Sequence, residues 1–216
     1  MCQKTLLFFG DSNTFGKKPI VIPENDHNER YAADIRWTGL IRKALGEQVS
    51  VIEEGLSSRT TLHDDPIGGC EKNGLTYLRP CLFSHMPIDV LVLMLGTNDL
   101  KSRFAVTPTD IALSVERLIL EIKACHVGPN GTDPKLIILC PAPIEEIGLL
   151  GKIFKGGAEK SRQLSNLYRA IALQHDALFL DVGEVVQVSQ IDGIHYDPDQ
   201  LPKLADAVLP MIQSIL

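Results

Sequence analysis

The five cysteines (Cys2, Cys70, Cys81, Cys125 and Cys140) are few, odd in number and never spaced as Cys-x-x-Cys. They offer neither a disulfide framework nor a structural zinc site, and a reducing compartment is the simplest inference. Long apolar runs are missing too. The longest strongly apolar stretch, Val90–Leu95, falls far short of the roughly 20 residues that cross a bilayer. From Met1 through Lys4 into Thr5–Phe9 the chain shows no h-region and no small-residue cleavage site, so a cytoplasmic protein with no membrane partner is expected. Basic residues are in deficit, 21 Lys and Arg against 27 Asp and Glu, for a net charge of -6. A surface that tracks phosphates needs the reverse balance, which argues against nucleic acid and for a small neutral or apolar substrate. The first turn has no G-x-G-x-x-G and no Walker-type lysine, so a nucleotide is not expected either.

What is present reads as one α/β domain over residues 1–216, with 44% hydrophobic and 22% charged residues. Five short apolar runs suit buried strands: Thr5–Phe9, Val49–Glu53, Val90–Leu95, Leu136–Leu139 and Leu178–Leu180. Between them helical spacing covers Ile35–Leu45, Gly74–His85, Asp110–Cys125, Glu159–Gln174 and Pro202–Leu216. Strict alternation of the two implies right-handed βαβ units. The expected fold is therefore a three-layer, doubly wound, flavodoxin-like parallel sheet of five strands, order 2-1-3-4-5. Two connections, Lys17–Asp34 and Pro141–Gly157, are too long for plain βα loops of about 2–6 residues. Both leave strands at the ligand-binding end of such a sheet, so they are expected to wall a pocket or to make a subunit contact.

The chemistry-bearing residues also fall at strand ends. GDSNTFG, Gly10–Gly16, follows the first strand and places Ser12 on a strand-to-helix turn that suits a nucleophile. An isolated Asp-Ser-Asn would be read as a polar helix cap. In the 2-1-3-4-5 order, however, the neighbouring strand ends carry Gly55 and, in GTND, Asn98. The N–H groups of Ser12 and Gly55 and the Asn98 carboxamide form a candidate oxyanion hole. A base is supplied by His195 in DGIHYD, where Asp192 three residues earlier reaches Nδ1 and leaves Nε2 for Ser12. An Asp-x-x-His taken alone reads equally well as a helix cap beside a surface histidine. The last strand lies three places from the first, about 14 Å away, and the loop from Asp181 to Asp192 is long enough to span that. His63, Asp64 and Asp65 read as a solvated polar loop rather than a metal cluster. No metal site is expected. Phe15, Phe154 and Ile194 are candidate walls of the acyl pocket.

GDSNTFG, Gly55, GTND and DGIH occur in the order of the four blocks of the SGNH/GDSL hydrolase family, which the sequence resembles from residue 10 to residue 195. The intervening RWTGLI, VIEEGLSSRTT, DDP, MLGTND and IFKGG are similar to the aryl-esterase/acyltransferase branch. The resemblance implies hydrolysis of small aryl or alkyl esters through an acyl-enzyme, with acyl transfer or perhydrolysis in some members. It implies the same triad and oxyanion donors, no metal and no organic cofactor, and homo-oligomerisation through the loop after Gly16. Asn13 and Lys17 stand where the acyltransferase pattern has apolar and aromatic residues. A polar rim there disfavours acyl transfer in water and leaves hydrolysis untouched. Carbohydrate O-deacetylase and lysophospholipase or thioesterase activities are alternatives on the same triad. A ligand-binding protein on the same fold is the alternative without turnover.

Overall fold

The computed structural model describes residues 3–21 and 28–216. Its strands are β1 (Lys4–Gly10), β2 (Val49–Gly55), β3 (Val90–Met94), β4 (Lys135–Cys140) and β5 (Leu178–Asp181), all parallel, in the order β2-β1-β3-β4-β5. This is the expected doubly wound sheet. The helices are α1 (Ser12–Phe15), α2 (Trp37–Leu45), α3 (Gly74–His85), α4 (Pro108–Cys125), α5 (Gly148–Ile153), α6 (Gly157–Ser161), α7 (Leu164–Gln174) and α8 (Gln200–Ile215).

The alternation of side chains along β1 divides the core in two. Leu7 and Phe9 face α3, α4 and α7, meeting Leu82, Ile119 and Tyr168 among others. Leu6 and Phe8 face α2 and α8, where the Phe8 and Trp37 rings meet edge to face with centroids 4.9 Å apart. Both faces of the central strands are thus buried, each such side chain contributing roughly 1.5–3 kcal/mol. That is why those runs are continuously apolar rather than alternating. Gly10 pairs with Gly55 on one side and Met94 on the other, so β1, β2 and β3 end level and open their following loops onto one edge.

Two helical expectations needed correction. The single helix over Glu159–Gln174 is broken into α6 and α7, because the Ser161 hydroxyl donates back to the Ala158 carbonyl and accepts the Ile144 N–H, holding a turn at Arg162 and Gln163. The connection Pro141–Gly157 contains α5, whose short apolar stretch is hidden in the sequence by flanking glycines. Part of the other long connection, residues 22–27, lies outside the described residues. Among the described residues, no helix is long and apolar enough to cross a membrane.

Candidate active site

Ser12 opens α1 at the tip of β1. Asp11 caps that turn by accepting the Asn13 N–H at 3.0 Å, and the Trp37 indole donates to the Asn13 carbonyl at 2.9 Å, so the serine stands on a turn fixed from two sides. Burial pushes the Asp11 carboxyl up to about 6, against the pull of the Asn13 N–H.

Across the sheet edge, the loop after β5 is folded on itself by Gly193 N–H to Ser189 O (2.8 Å) and Ser189 N–H to His195 O (2.7 Å). Gly193 has φ +74, and a Cβ there would lie 2.1 Å from Glu145 O, so the position between Asp192 and His195 admits only glycine. Asp192 Oδ1 accepts the N–H groups of Ile194 (2.9 Å) and His195 (3.0 Å). Its Oδ2 accepts His195 Nδ1 (2.6 Å) and the Ile20 N–H (2.8 Å). Burial alone would raise this carboxyl, but the bonds from His195 and Ile20 hold it down at about 2. His195 Nε2 then lies 3.1 Å from Ser12 Oγ. The structure therefore brings Ser12, His195 and Asp192 into one hydrogen-bonded line, all three buried.

The expected donors divide differently. Asn98 is in place: its Nδ2 donates to Arg59 O at 3.1 Å, and its other hydrogen has only a long 3.5 Å contact to Asp11 Oδ2. Gly55 is not at the cavity. It ends β2 directly against α1, where a Cβ would come 2.2 Å from Phe15 N, so the glycine serves the close approach of strand and helix. The loop beyond it carries Ser58 to the cavity instead, with φ +68 and an N–H that meets no acceptor among the described residues. That left-handed residue at the cavity was missed by the sequence reading, since nothing in LSSRTT marks which residue turns inward.

Of the expected solvated loop, Asp64 is exposed and His63 half-buried, but Asp65 is not solvated. Asp99 is fully buried and accepts the Thr61 N–H (3.1 Å), the Thr61 hydroxyl (2.5 Å) and His63 Nδ1 (2.9 Å). The Asp99 bond raises the His63 pKa above its ordinary value, although burial opposes it. Asp65, also fully buried, accepts the N–H groups of Ile67 (3.1 Å) and Gly68 (3.0 Å), Arg103 Nη1 (2.8 Å) and Lys101 Nζ (3.1 Å). Burial would raise the Asp65 carboxyl, yet the Gly68 N–H and the two cations hold it well below the usual carboxylate range. Burial in turn pulls the Lys101 ammonium down, while Asp65 supports it.

Ser12, Ser58, Asn98 and His195 open into a cavity of about 370 Å³. Ile20, Leu150, Ile153, Phe154 and Ile194 supply its apolar wall. Lys17, Lys72, Lys101, Arg103 and Asp65 supply its charged one. Both long connections thus contribute, Lys17 and Ile20 from the first and Leu150, Ile153 and Phe154 from the second. Of the candidate pocket residues, Lys17, Phe154 and Ile194 line the cavity, whereas Asn13 and Phe15 do not. About 100° per helical residue turns Asn13 away from Ser12, and its Nδ2 donates to Ile194 O at 3.1 Å. Phe15 lies under the Arg30 guanidinium at 4.5 Å. Among the described residues, the metal-type grouping is Glu54, Cys81 and His85, with donor atoms within 4.8 Å of one another. None of the three lines the cavity, and burial pushes the Cys81 thiol up to about 12.

Compared with known proteins, residues 8–201 match the GDSL-like Lipase/Acylhydrolase family. Est24, a carbohydrate acetylesterase from Sinorhizobium meliloti, superposes with a TM-score of 0.92 at 37% identity, covering 99% of this chain and 100% of that one. The aryl esterase of M. smegmatis gives 0.90 at 37% identity with the same coverage. A lipase/acylhydrolase from Enterococcus faecalis, 18% identical with a TM-score of 0.69 over 98% of this chain and 96% of its own, shares the fold. No curated protein matched the sequence.

Proposed function

The chain belongs to the GDSL-like lipase/acylhydrolase family, and from that premise we propose that it is a serine esterase of small aryl and alkyl carboxylic esters, with Ser12 as nucleophile. The observation that carries this reading is the unbroken line from Asp192 through His195 to Ser12, 2.6 Å and then 3.1 Å, ending in a cavity. His195 Nε2 takes the hydroxyl proton as Ser12 Oγ bonds to the ester carbonyl carbon. The carbonyl electron pair moves to oxygen, and that oxyanion is met by the N–H groups of Ser12 and Ser58 and by Asn98 Nδ2. Collapse of the adduct expels the alcohol, which leaves with the proton from His195. Water, deprotonated by the same imidazole, then releases the acid and restores Ser12. Asp192 keeps the imidazole proton on Nδ1 and balances the imidazolium that forms midway.

The apolar wall of Ile20, Leu150, Ile153, Phe154 and Ile194 suits a short acyl chain or an aryl ring. Acetyl ester hydrolysis on a sugar is the second reading, favoured by the 37% identity to a carbohydrate acetylesterase over nearly the whole of both chains. Ser12→Ala tests the shared chemistry: the variant should fold normally, lose nearly all turnover of 4-nitrophenyl acetate, and resist labelling by a fluorophosphonate probe that marks the wild type. Undiminished turnover in that variant would move the nucleophile elsewhere.

A further inference from the structure

The charged wall of the cavity is not explained by a neutral ester. Asp65 is one carboxylate, yet it serves two cations, Lys101 and Arg103, and both line the same cavity as Ser12 and His195. One cation would neutralise it. An ammonium has three hydrogens and a guanidinium five, and among the described residues Asp65 is the sole side-chain acceptor for either group. Lys101 is 7% exposed, so its remaining hydrogens lie away from bulk solvent. Arg103, its side chain 24% exposed, is the second cation on that carboxylate and turns its remaining hydrogens to the cavity mouth, where an anion can take them up. Of the other charges nearby, Lys72 is matched by Glu71 at 3.1 Å, and the buried Asp99 behind Lys101 is taken up by Thr61 and His63.

We propose that the ester taken by this cavity carries a carboxylate of its own, held by Lys101 and Arg103 while its ester carbonyl meets Ser12. The inference rests on the serine esterase reading and adds to it the charge of the substrate. A monoanion is the match, because the triad of Asp65, Lys101 and Arg103 is left with a single positive charge. It reverses the expectation of a neutral substrate drawn from the chain's net charge of -6, which averages over the whole chain and not over the cavity, where Lys17, Lys72, Lys101 and Arg103 stand against Asp65. Arg103 offers the planar fork that carboxylates bind best, and Lys101 offers a point charge beside it.

The experiment uses matched pairs of esters on the full chain. In one, 4-acetoxybenzoate is compared with its methyl ester, placing the charge on the alcohol side. In the other, mono-4-nitrophenyl glutarate is compared with 4-nitrophenyl pentanoate, placing it on the acyl side. One pair should favour the anion by about tenfold in kcat/KM, the lower range for a charge-assisted hydrogen bond in a half-open site. That ratio should shrink in high salt, collapse in Arg103→Gln and be largely kept in Arg103→Lys. If Arg103→Gln fails to fold, the lysine variant and the salt dependence still decide. Ratios near one for both pairs, or ratios indifferent to salt and to Arg103, overturn the proposal. Absence of turnover for every ester, neutral ones included, instead overturns the esterase reading beneath it.

Discussion

Asp192→Asn keeps the size of the side chain and removes one acceptor from a group that uses both. Each carboxylate oxygen accepts two N–H groups, Ile194 and His195 backbone on one side, Ile20 backbone and the imidazole on the other. An amide has one oxygen. Turned toward His195, its NH₂ faces two buried backbone donors, at about 1–3 kcal/mol each. Turned toward the backbone pair, its NH₂ faces the Ile20 N–H and the imidazole. That second arrangement strands one backbone donor instead of two, since the imidazole adapts by accepting at Nδ1. The adaptation puts the ring proton on Nε2, against Ser12 Oγ, where a base is required. A fall of about 10⁴-fold in kcat is the scale for an imidazole held in the wrong tautomer. The stability loss has its own signature. Holding Asp192 at about 2 rather than 3.8 contributes about 2 kcal/mol at neutral pH. Because this pKa is depressed in the fold, that contribution is present above the unfolded value and is lost as pH falls through about 2. Urea unfolding should therefore show the variant less stable than wild type at pH 7, with the difference narrowing toward pH 2. A variant that keeps kcat within tenfold of wild type, or a stability difference constant with pH, refutes the reasoning.

Asn98→Ala removes one of the three proposed oxyanion donors and should lower kcat by about 10²–10³ while KM for 4-nitrophenyl acetate moves little. Gly55→Ala drives a methyl group to within 2.2 Å of the α1 backbone, so thermal unfolding should show a loss of about 1–3 kcal/mol from overpacking. Asp11, buried and raised to about 6, has the opposite sign to Asp192. Its contribution is fully present below the unfolded value of 3.8 and disappears as pH rises through about 6, a loss of about 3 kcal/mol by neutral pH. Wild type should accordingly become less stable between pH 4 and 6 in urea titrations, with little further change above, and Asp11→Asn should have a flatter profile; parallel profiles would count against it.

The strand order was legible because continuous apolar runs such as Leu6–Phe9 can only be buried on both faces, and their alternation with helical segments leaves few topologies. Ser12, Asn98, Asp192 and His195 were legible because each lies at a strand end or in a tight local turn, where position along the chain fixes position in space. Ser58 was not, since its role depends on one left-handed backbone angle within a polar stretch. Gly55 drew attention as a glycine at a strand end, but the lack of a side chain there serves packing against α1. The cluster of Asp65, Lys101 and Arg103 joins residues 36 and 38 positions apart that share no motif. Its faint signal was an acid in a loop that must be buried if the cations following GTND are to have a partner. α5 and the break after Ser161 escaped because side-chain to backbone bonds, not periodicity, set those boundaries.

The Ile20 N–H bond to Asp192 makes one stretch of chain answer to two demands. Ile20 also walls the cavity, so an occupant large enough to push that wall outward draws a proton donor off the carboxylate. An acid with one donor fewer holds its electrons less tightly and pulls harder on the imidazolium proton. Bulky and compact esters would then meet bases of different strength on the same enzyme, and selectivity by size would be written into proton transfer as well as into fit.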